Sequence, residues 1–199
     1  RQNTMAGGKQ MKSLAVFASG NGTNFEALAN AAQAADSHYQ IAVLVCDQVQ
    51  APVIQKAAAR HIPTLVVNFK DYANKAAAET YILSQLPPVD ALILAGYMRI
   101  IGPTLLNAFP KRIINLHPAL LPSFPGRQGI KDAFDYGVKV TGVTVHYVDA
   151  GIDTGEIIAQ DPVRVSPGMT LAQLEAAIHH QEHQTFPATV KQLIEEGAI

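Results

Sequence analysis

The sequence has little cysteine, little charge and no tryptophan. Its one cysteine, Cys46, excludes an intrachain disulfide framework and favours a reducing cytoplasm. Charged residues make up only 16% of the chain and the formal net charge is −1, which argues against nucleic acid held on a basic surface. No apolar run is long enough to span a membrane. These absences favour a globular protein with small-molecule substrates and no nucleic-acid or membrane partner.

Short apolar strands alternate with helical patterns along the chain, 48% of which is hydrophobic. Strands are predicted at 13–18, 41–45, 64–67, 89–95 and from 112 onward, and helices at 51–61, 71–86 and 128–136. Such alternation is typical of a Rossmann-like, doubly wound α/β fold with a mostly parallel sheet. Two later strands, 139–148 and 156–165, have a short connection and predict an antiparallel carboxyl-terminal hairpin.

Both ends of the chain carry further predictions. Residues 1–10 are polar and contain glycine, so we expect a disordered leader or a cloning remnant, followed by a single domain at 11–199. Residues 170–196 are predicted to be helical, with a kink or two helices because of Pro187. His179 and His183 are four residues apart, but no third ligand pattern accompanies them, so a solvated or packing role is favoured over a metal.

The first loop, residues 19–24, is a candidate anion site. It is rich in glycine and lies between a predicted strand and a helix, where backbone N–H groups converge. Thr23 and Asn24 add side-chain donors and a predicted helix cap, which suits one compact phosphate. Two alternatives remain open here: a plain tight turn, and a dinucleotide site in which Asp47 binds a ribose. Phe25 stands where the dinucleotide motif needs its third glycine.

Asn115 and His117 are the strongest candidates for chemistry. They are two residues apart at the end of a predicted strand, so both side chains are expected on one side. Prolines at 118, 122 and 125 stiffen the loop that follows. Asp153 follows in a glycine-containing loop and is a candidate to reach His117, fixing its orientation and raising its pKa. The alternatives are an ordinary polar strand end and, for Asp153, a turn former.

Two further segments are candidates for substrate contact. Residues 96–101 form an apolar ledge with one cation, Arg99. The backbone of this ledge could bind a flat heterocycle while Met98 and Ile100 cover a ring. The alternative is a connection packed into the core. Glu182 is a candidate for a substrate amine if its helix borders the crevice.

Four segments together resemble a known family. Residues 19–24 (SGNGTN), 95–100 (AGYMRI), 115–122 (NLHPALLP) and 142–146 (GVTVH) are similar, in this order, to the phosphoribosylglycinamide formyltransferases, folate-dependent enzymes of purine biosynthesis. The resemblance runs from about Leu14 to the last helix. The Asn-x-His-Pro block with the later Asp is specific to the formyl-folate transferase superfamily, and the first loop narrows it to the glycinamide ribonucleotide enzyme. Thr23 and Tyr97 replace a frequent serine and phenylalanine.

The resemblance implies a formyltransferase fold and a set of site residues. Asn115, His117 and Asp153 would be catalytic, and Gly22, Thr23 and Asn24 would bind the substrate phosphate. The folate site would comprise Lys75, Met98, Arg99, Ile100, Ile101, Asn115, Asp149 and Asp153, with 149–153 as the folate-binding loop. The implied donor is 10-formyltetrahydrofolate, no metal is required, and the enzyme is expected in the cytoplasm as a monomer or homodimer.

Three other functions compete with this one. A methionyl-tRNA formyltransferase-like enzyme would share the chemistry, but the near-neutral charge and the lack of an added carboxyl-terminal domain oppose it. A formyl-folate hydrolase would be expected to carry an extra amino-terminal domain. A non-catalytic nucleotide-binding module would need no grouping of Asn115, His117 and Asp153.

Overall fold

A computed structural model describes residues 10–199, where strands and helices alternate. Residues 1–9 of the predicted leader lie outside the described residues. The strands are β1 Lys12–Ala18, β2 Tyr39–Cys46, β3 Thr64–Val66, β4 Ala91–Leu94, β5 Ile113–His117, β6 Val140–Tyr147 and β7 Ile157–Arg164. The α-helices are α1 Thr23–Ala32, α2 Pro52–Ala59, α3 Lys75–Gln85, α4 Pro103–Ala108, α5 Gly129–Tyr136 and α6 Leu171–Glu195.

All these strands join one sheet in the order β3-β2-β1-β4-β5-β6-β7. The first five strands of the chain pair in parallel, whereas β6 pairs antiparallel with both β5 and β7. The predicted Rossmann-like, mostly parallel sheet with an antiparallel carboxyl-terminal hairpin is therefore confirmed. The chain runs outward from β1 to β3 and then returns to β4 on the other side of β1. Such a reversal opens a crevice at the carboxyl ends of β1 and β4.

Helices cover both faces of the sheet, and the interior strand β1 is apolar from Leu14 to Ala18. Val16 packs on one face in a cluster with Phe186 of α6, and Phe17 packs on the other with Ile82 of α3. All four side chains are fully buried. Because successive side chains of a strand alternate between faces, a strand buried on both sides shows a continuous apolar run. The two cores hold the carboxyl ends of the strands in fixed positions.

Helix α6 is one continuous helix of 25 residues, with Pro187 inside it. Of the two expected outcomes, a kink or two helices, the second is therefore wrong, and a kink at Pro187 stays a prediction. Its start is defined by a capping box, in which Thr170 and Gln173 each bind the other's backbone N–H. A proline inside a helix costs about 3 kcal/mol. Buried side chains on either side of it, Phe186 and Val190, offset this cost by packing on the sheet.

Helix α4 is short, was not predicted, and is fixed by a buried carboxylate from α3. Glu79 is 2% exposed and accepts hydrogen bonds from the backbone N–H groups of Gly102 (2.8 Å) and Leu105 (3.4 Å). These N–H groups belong to the first turn of α4, which has no partner for them within the helix. Glu79 thereby also fixes the end of the ledge at residues 96–101.

Replacing Glu79 with alanine is expected to lower the free energy of unfolding by about 2 kcal/mol, because two buried N–H groups lose their charged acceptor. Urea unfolding measures this change. Glu175→Ala, a truncation at an exposed position of α6, serves as the matched control and should stay within about 0.5 kcal/mol of the parent chain. Equal losses in the two variants would contradict the capping role of Glu79.

Candidate active site

The start of α1 and the loops that follow β4, β5 and β6 meet helix α6 around one cavity of about 380 Å³. Most of the predicted site residues line it. From the predicted set these are Asn24, Met98, Arg99, Ile100, Ile101, Asn115, His117, Asp149, Asp153 and Glu182. Because the parallel strands of an α/β sheet end at the same edge, residues far apart in the sequence meet here.

The first loop leads from β1 into α1 through Gly22, whose φ is 74°. A side chain at this position would collide with Val53 of α2, so only glycine allows the close approach of the two segments. Thr23 is the first residue of α1, so the unpaired N–H groups of the first turn begin here. These N–H groups and the positive end of the helix dipole favour an anion.

Asn24 does not cap this helix, contrary to prediction. Gly22 occupies the cap position, with no side-chain hydrogen bond. Instead, the amide Nδ2 of Asn24 donates to Oε2 of Glu182 (3.3 Å), and its Oδ1 is buried with no partner among the described residues. Asn24 is the second residue inside α1 rather than its cap, and its amide N–H turns to a carboxylate of α6.

Glu182 connects the start of α1 to helix α6. Its side chain is buried and also accepts a hydrogen bond from Nδ1 of His179 (2.5 Å). This hydrogen bond raises the pKa of His179 above its ordinary value. His179 lines the same cavity as Asn24 and supplies a cation there when its ring is protonated. His183 does not line the cavity, and burial lowers its pKa. The described residues contain no group of three or more side chains suited to a metal.

The ledge at 96–101 is locked to the first loop by Asp47. The carboxylate of Asp47 accepts from the hydroxyl of Ser19 (2.5 Å) and from Nε of Arg99 (2.8 Å). Ser19 in turn accepts from the backbone N–H of Met98 (3.0 Å). The Arg99 guanidinium also lies over the ring of Phe69, 3.9 Å from its centre. Asp47 is thus engaged in holding the ledge, which removes the support for a ribose-binding role.

The ledge presents apolar side chains to the cavity. Met98 and Ile100 are each 49% exposed, whereas Ile101 is buried. The alternative of a fully core-packed connection is therefore wrong for Met98 and Ile100. Two large apolar groups left open to solvent at a cavity are suited to cover a flat ring. Lys75 is different: it lies against Gly102 behind the ledge and does not line the cavity.

Strand β5 places Asn115 and His117 at the centre of the cavity, both on its lining. His117 is buried, and its Nε2 lies 2.7 Å from the backbone oxygen of Phe124. Since a carbonyl only accepts, Nε2 carries the hydrogen. The other ring nitrogen, Nδ1, lies 3.7 Å from Oδ2 of Asp153. This distance is too long for a direct hydrogen bond but short enough for electrostatic attraction when the ring is protonated.

Asp153 joins two loops at the site. Its φ of 54° lies in the left-handed region, and its Oδ2 accepts from the backbone N–H of Gly126 (2.7 Å). The preceding part of its loop is held by Asp149, whose Oδ1 accepts from Gly151 N–H (2.9 Å) and the Thr154 hydroxyl (2.7 Å). The Thr154 hydroxyl lowers the pKa of Asp149. The carboxylate of Asp153 is therefore placed by backbone on both sides of the cavity.

His146 is a site residue for which the sequence indicated no role. It lies opposite Asn115 in the β5–β6 pairing, and its Nδ1 donates to the backbone oxygen of Tyr147 (2.9 Å). Burial lowers the pKa of His146, so the ring is neutral and Nε2 is an acceptor. Nε2 accepts from Nδ2 of Asn115 (3.2 Å). Although Asp153 Oδ1 lies 3.9 Å from Nε2, a neutral ring forms no ion pair with it.

Thr144 and Gln160 hold the loop that follows His117. The Thr144 hydroxyl donates to the backbone oxygen of Ala119 (2.7 Å) and accepts from the N–H of Leu121 (3.1 Å). Gln160 Nε2 donates to the backbone oxygen of Leu121 (2.9 Å). In the sequence, the strong alternation of residues 139–148 puts Thr144 and His146 on one face of a strand. This alternation is the sequence signal that could have identified them as site residues. Their partners on β5 became known only with the strand register.

No helix in the described part of the chain is long and apolar enough to cross a membrane.

Comparisons with known proteins agree with this geometry. The formyl transferase family model matches residues 12–190. Phosphoribosylglycinamide formyltransferase of Bacillus subtilis is 50% identical over 186 residues, which cover 92% of this chain and 95% of that protein. The human trifunctional purine biosynthetic protein adenosine-3 is 36% identical over 96% of this chain, which corresponds to 19% of its own length.

A solved structure matches equally well. The crystal structure of glycinamide ribonucleotide transformylase 1 from Geobacillus kaustophilus superimposes with a TM-score of 0.90 at 50% identity, over 93% of this chain and 100% of that one. The fold, the motifs and the near-complete coverage lead to one assignment. The chain belongs to the formyl transferase family and, within it, to the phosphoribosylglycinamide formyltransferases, enzymes of purine biosynthesis.

Proposed function

We propose that the chain transfers the formyl group of 10-formyltetrahydrofolate to the amine of N1-(5-phosphoribosyl)glycinamide, giving the formylated ribonucleotide and tetrahydrofolate. The observation that carries this proposal is the convergence of Asn115, His117 and Asp153 on one cavity. An anion-binding helix start borders the same cavity on one side and an apolar ledge on another. The two halves match a phosphorylated substrate and a flat, largely apolar donor.

The phosphorylated substrate binds at the amino terminus of α1. Gly22, Thr23 and Asn24 bind the phosphate through backbone N–H groups, and His179 adds a cation when it is protonated. Glu182 is buried beside them and accepts a hydrogen bond from the substrate. The amine of the substrate is our candidate for the donor of this bond. This orientation directs the substrate from the phosphate loop toward Asn115.

The folate donor binds between the ledge and the loop at 149–155. Met98 and Ile100 cover its rings. Arg99 and Ile101 fix the backbone that forms hydrogen bonds with the heterocycle. Asp149 and Asp153 form the opposite wall of the cavity. Lys75 lies behind the ledge, so its proposed contribution is indirect, through its contact with Gly102.

The reaction is an attack of the substrate amine on the formyl carbon attached to N10 of the folate. Negative charge then develops on the formyl oxygen, and preorganised donors lower the barrier. The Asn115 amide has two N–H groups, of which one is bound to His146, so the other is free to donate to this oxygen. His146 thus positions the catalytic amide without contacting the reacting atoms.

His117 is the proton carrier. Its Nε2–H is held by Phe124, so Nδ1 is the nitrogen that faces the reacting groups. A protonated Nδ1 donates to the formyl oxygen and then to the departing N10, and the nearby Asp153 carboxylate stabilises the imidazolium. Asp153 also accepts the proton that the amine loses, through a water molecule. The donor is already activated, so neither a metal nor nucleotide hydrolysis is needed for transfer.

We further propose that residues 11–199 act as one formyltransferase domain, in the cytoplasm, as a monomer or homodimer. The sheet with its two cores supports a single unit. The only cysteine, Cys46, is buried and free, which suits a reducing compartment.

The proposed reaction predicts turnover only when both substrates are present, measured by the absorbance of the deformylated folate. His117→Ala should lower kcat/KM at least about 100-fold, because general acid–base catalysis contributes that much. His180→Ala, a truncation of an exposed imidazole, is the control and should keep full activity. Full turnover by His117→Ala would refute the mechanism, and loss of the formyl group without the amine would indicate a hydrolase.

Replacing His146 with leucine should lower kcat about tenfold or more while both KM values change less than about twofold, because the Asn115 amide loses its orientation. Leucine fills a volume similar to that of the imidazole, so thermal unfolding of the variant should remain cooperative. Steady-state kinetics with both substrates varied separates the two parameters. A loss seen mainly in either KM would show that His146 shapes a binding pocket rather than orienting Asn115.

The raised pKa of His179 predicts a pH dependence of substrate binding. Below this pKa the ring is charged and attracts the phosphate; as the pH rises through it, the charge is lost and the KM for the ribonucleotide should rise. Glu182 and Glu175 are the acidic groups that keep the ring charged. His179→Gln should abolish this rise in KM, and an NMR titration should show an imidazole pKa above 6.5 that Glu182→Gln lowers. An unchanged pH profile in His179→Gln would contradict the assignment.

A further inference from the structure

The segment that follows β5 holds His117 and Asp153 through backbone groups. The oxygen of Phe124 accepts a hydrogen bond from Nε2 of His117, and the N–H of Gly126 donates to Asp153. Phe124 has a φ of 53°, in the left-handed region that bulky L-residues rarely adopt. Because this conformation is unfavourable for phenylalanine by itself, contacts with other parts of the chain must hold its carbonyl in place.

Helix α5 supplies such contacts along one of its faces. Gly129, Ala133 and Tyr136 follow one another at intervals of four and three residues, so they share a face of the helix. In the first turn, a Cβ on Gly129 would lie only 3.2 Å from both His117 Nε2 and the Phe124 oxygen. In the last turn, the ring of Tyr136 packs edge-on against the ring of Phe124, with the ring centres 5.8 Å apart. The two ends of this face therefore lie against the same residue.

Tyr136 does not belong to the core. It is 80% exposed, whereas Ala133 is fully buried and Ile130 and Phe134 pack against the core. These three residues anchor α5 without Tyr136. Replacement of a residue that is so exposed normally changes the free energy of unfolding very little. We therefore expect the contribution of this ring in the placement of Phe124 rather than in the stability of the fold.

We propose that Tyr136 is a positioning residue for His117. Its ring holds Phe124, whose carbonyl keeps a hydrogen on Nε2 and leaves Nδ1 facing the reacting groups. Tyr136 itself lies outside the cavity lining, so it acts through Phe124 and not on the substrates. Without the ring, the left-handed backbone of Phe124 relaxes and its oxygen moves away from Nε2. This inference rests on the proposed catalytic role of His117.

Steady-state kinetics of three variants tests the proposal. Tyr136→Ala should lower kcat about fivefold and leave both KM values within about twofold, because loss of an aromatic pair displaces the imidazole but no binding group. Tyr136→Phe keeps the ring and should restore the parent kcat. Tyr81→Ala is the matched control and should behave as the parent chain. Tyr81 is also an exposed tyrosine whose ring packs on another, that of Tyr72, and it lies on α3 outside the cavity lining.

A second measurement follows His117 directly and requires no turnover. Protein labelled with nitrogen-15 in its histidines is studied by NMR at a pH at which the ring is neutral, and His117→Gln identifies the signals. The parent chain should show the hydrogen on Nε2. In Tyr136→Ala, the shifts of the two ring nitrogens should move toward each other, because both tautomers are then populated. In Tyr136→Phe and Tyr81→Ala they should match the parent chain.

Unchanged imidazole shifts in Tyr136→Ala, or an unchanged kcat while His117→Ala is inactive, would overturn the proposal. So would a loss that appears in KM, one that Tyr136→Phe does not restore, or one accompanied by loss of cooperative thermal unfolding, since each of these indicates a different role for Tyr136. Full turnover by His117→Ala would refute the proposed mechanism instead. Shifted imidazole signals in Tyr136→Ala would then still support the placement of His117 by Tyr136.

Discussion

The antiparallel pairing of β5 with β6 is the constraint on which the site depends. It sets Asn115 opposite His146 and His117 opposite Thr144. A buried amide or imidazole costs several kcal/mol unless it is hydrogen-bonded. His146 meets this need for Asn115, and Phe124 meets it for His117. A shift of the register by one residue would turn these side chains to the opposite face, and the cavity would lose its amide and imidazole groups.

Backbone groups, rather than other side chains, orient most of the side chains proposed to be catalytic. The carbonyls of Phe124 and Tyr147 select which nitrogen of His117 and His146 carries hydrogen, and the N–H of Gly126 fixes Asp153. Backbone positions are set by the fold and are less mobile than exposed side chains. The three proposed catalytic groups are therefore placed before any substrate arrives, which is the main requirement for electrostatic stabilisation of a transition state.

The cavity has two chemically different sides, which match the two proposed substrates. The side proposed for the phosphate combines free N–H groups of α1 with the His179–Glu182 pair, whereas the side proposed for the folate is an apolar ledge whose own arginine, Arg99, is neutralised by Asp47. Asp47 and Ser19 connect the two sides, since they tie the ledge to the first loop. A site built this way binds two unlike molecules in a fixed mutual orientation. The reaction between them then becomes effectively unimolecular, which accounts for much of the rate enhancement by an enzyme with two substrates.

The sequence by itself determined the fold class, the order of the strands along the chain, the glycine-rich first loop and the pairing of Asn115 with His117. Local patterns suffice for these features, because apolar periodicity and turn residues depend on near neighbours. Only the tertiary structure decided that α6 continues through Pro187, that Asn24 turns to Glu182, that Lys75 lies behind the ledge and that His146 orients Asn115. Each of these rests on a contact between segments far apart in the sequence, where packing and hydrogen bonding outweigh local preference.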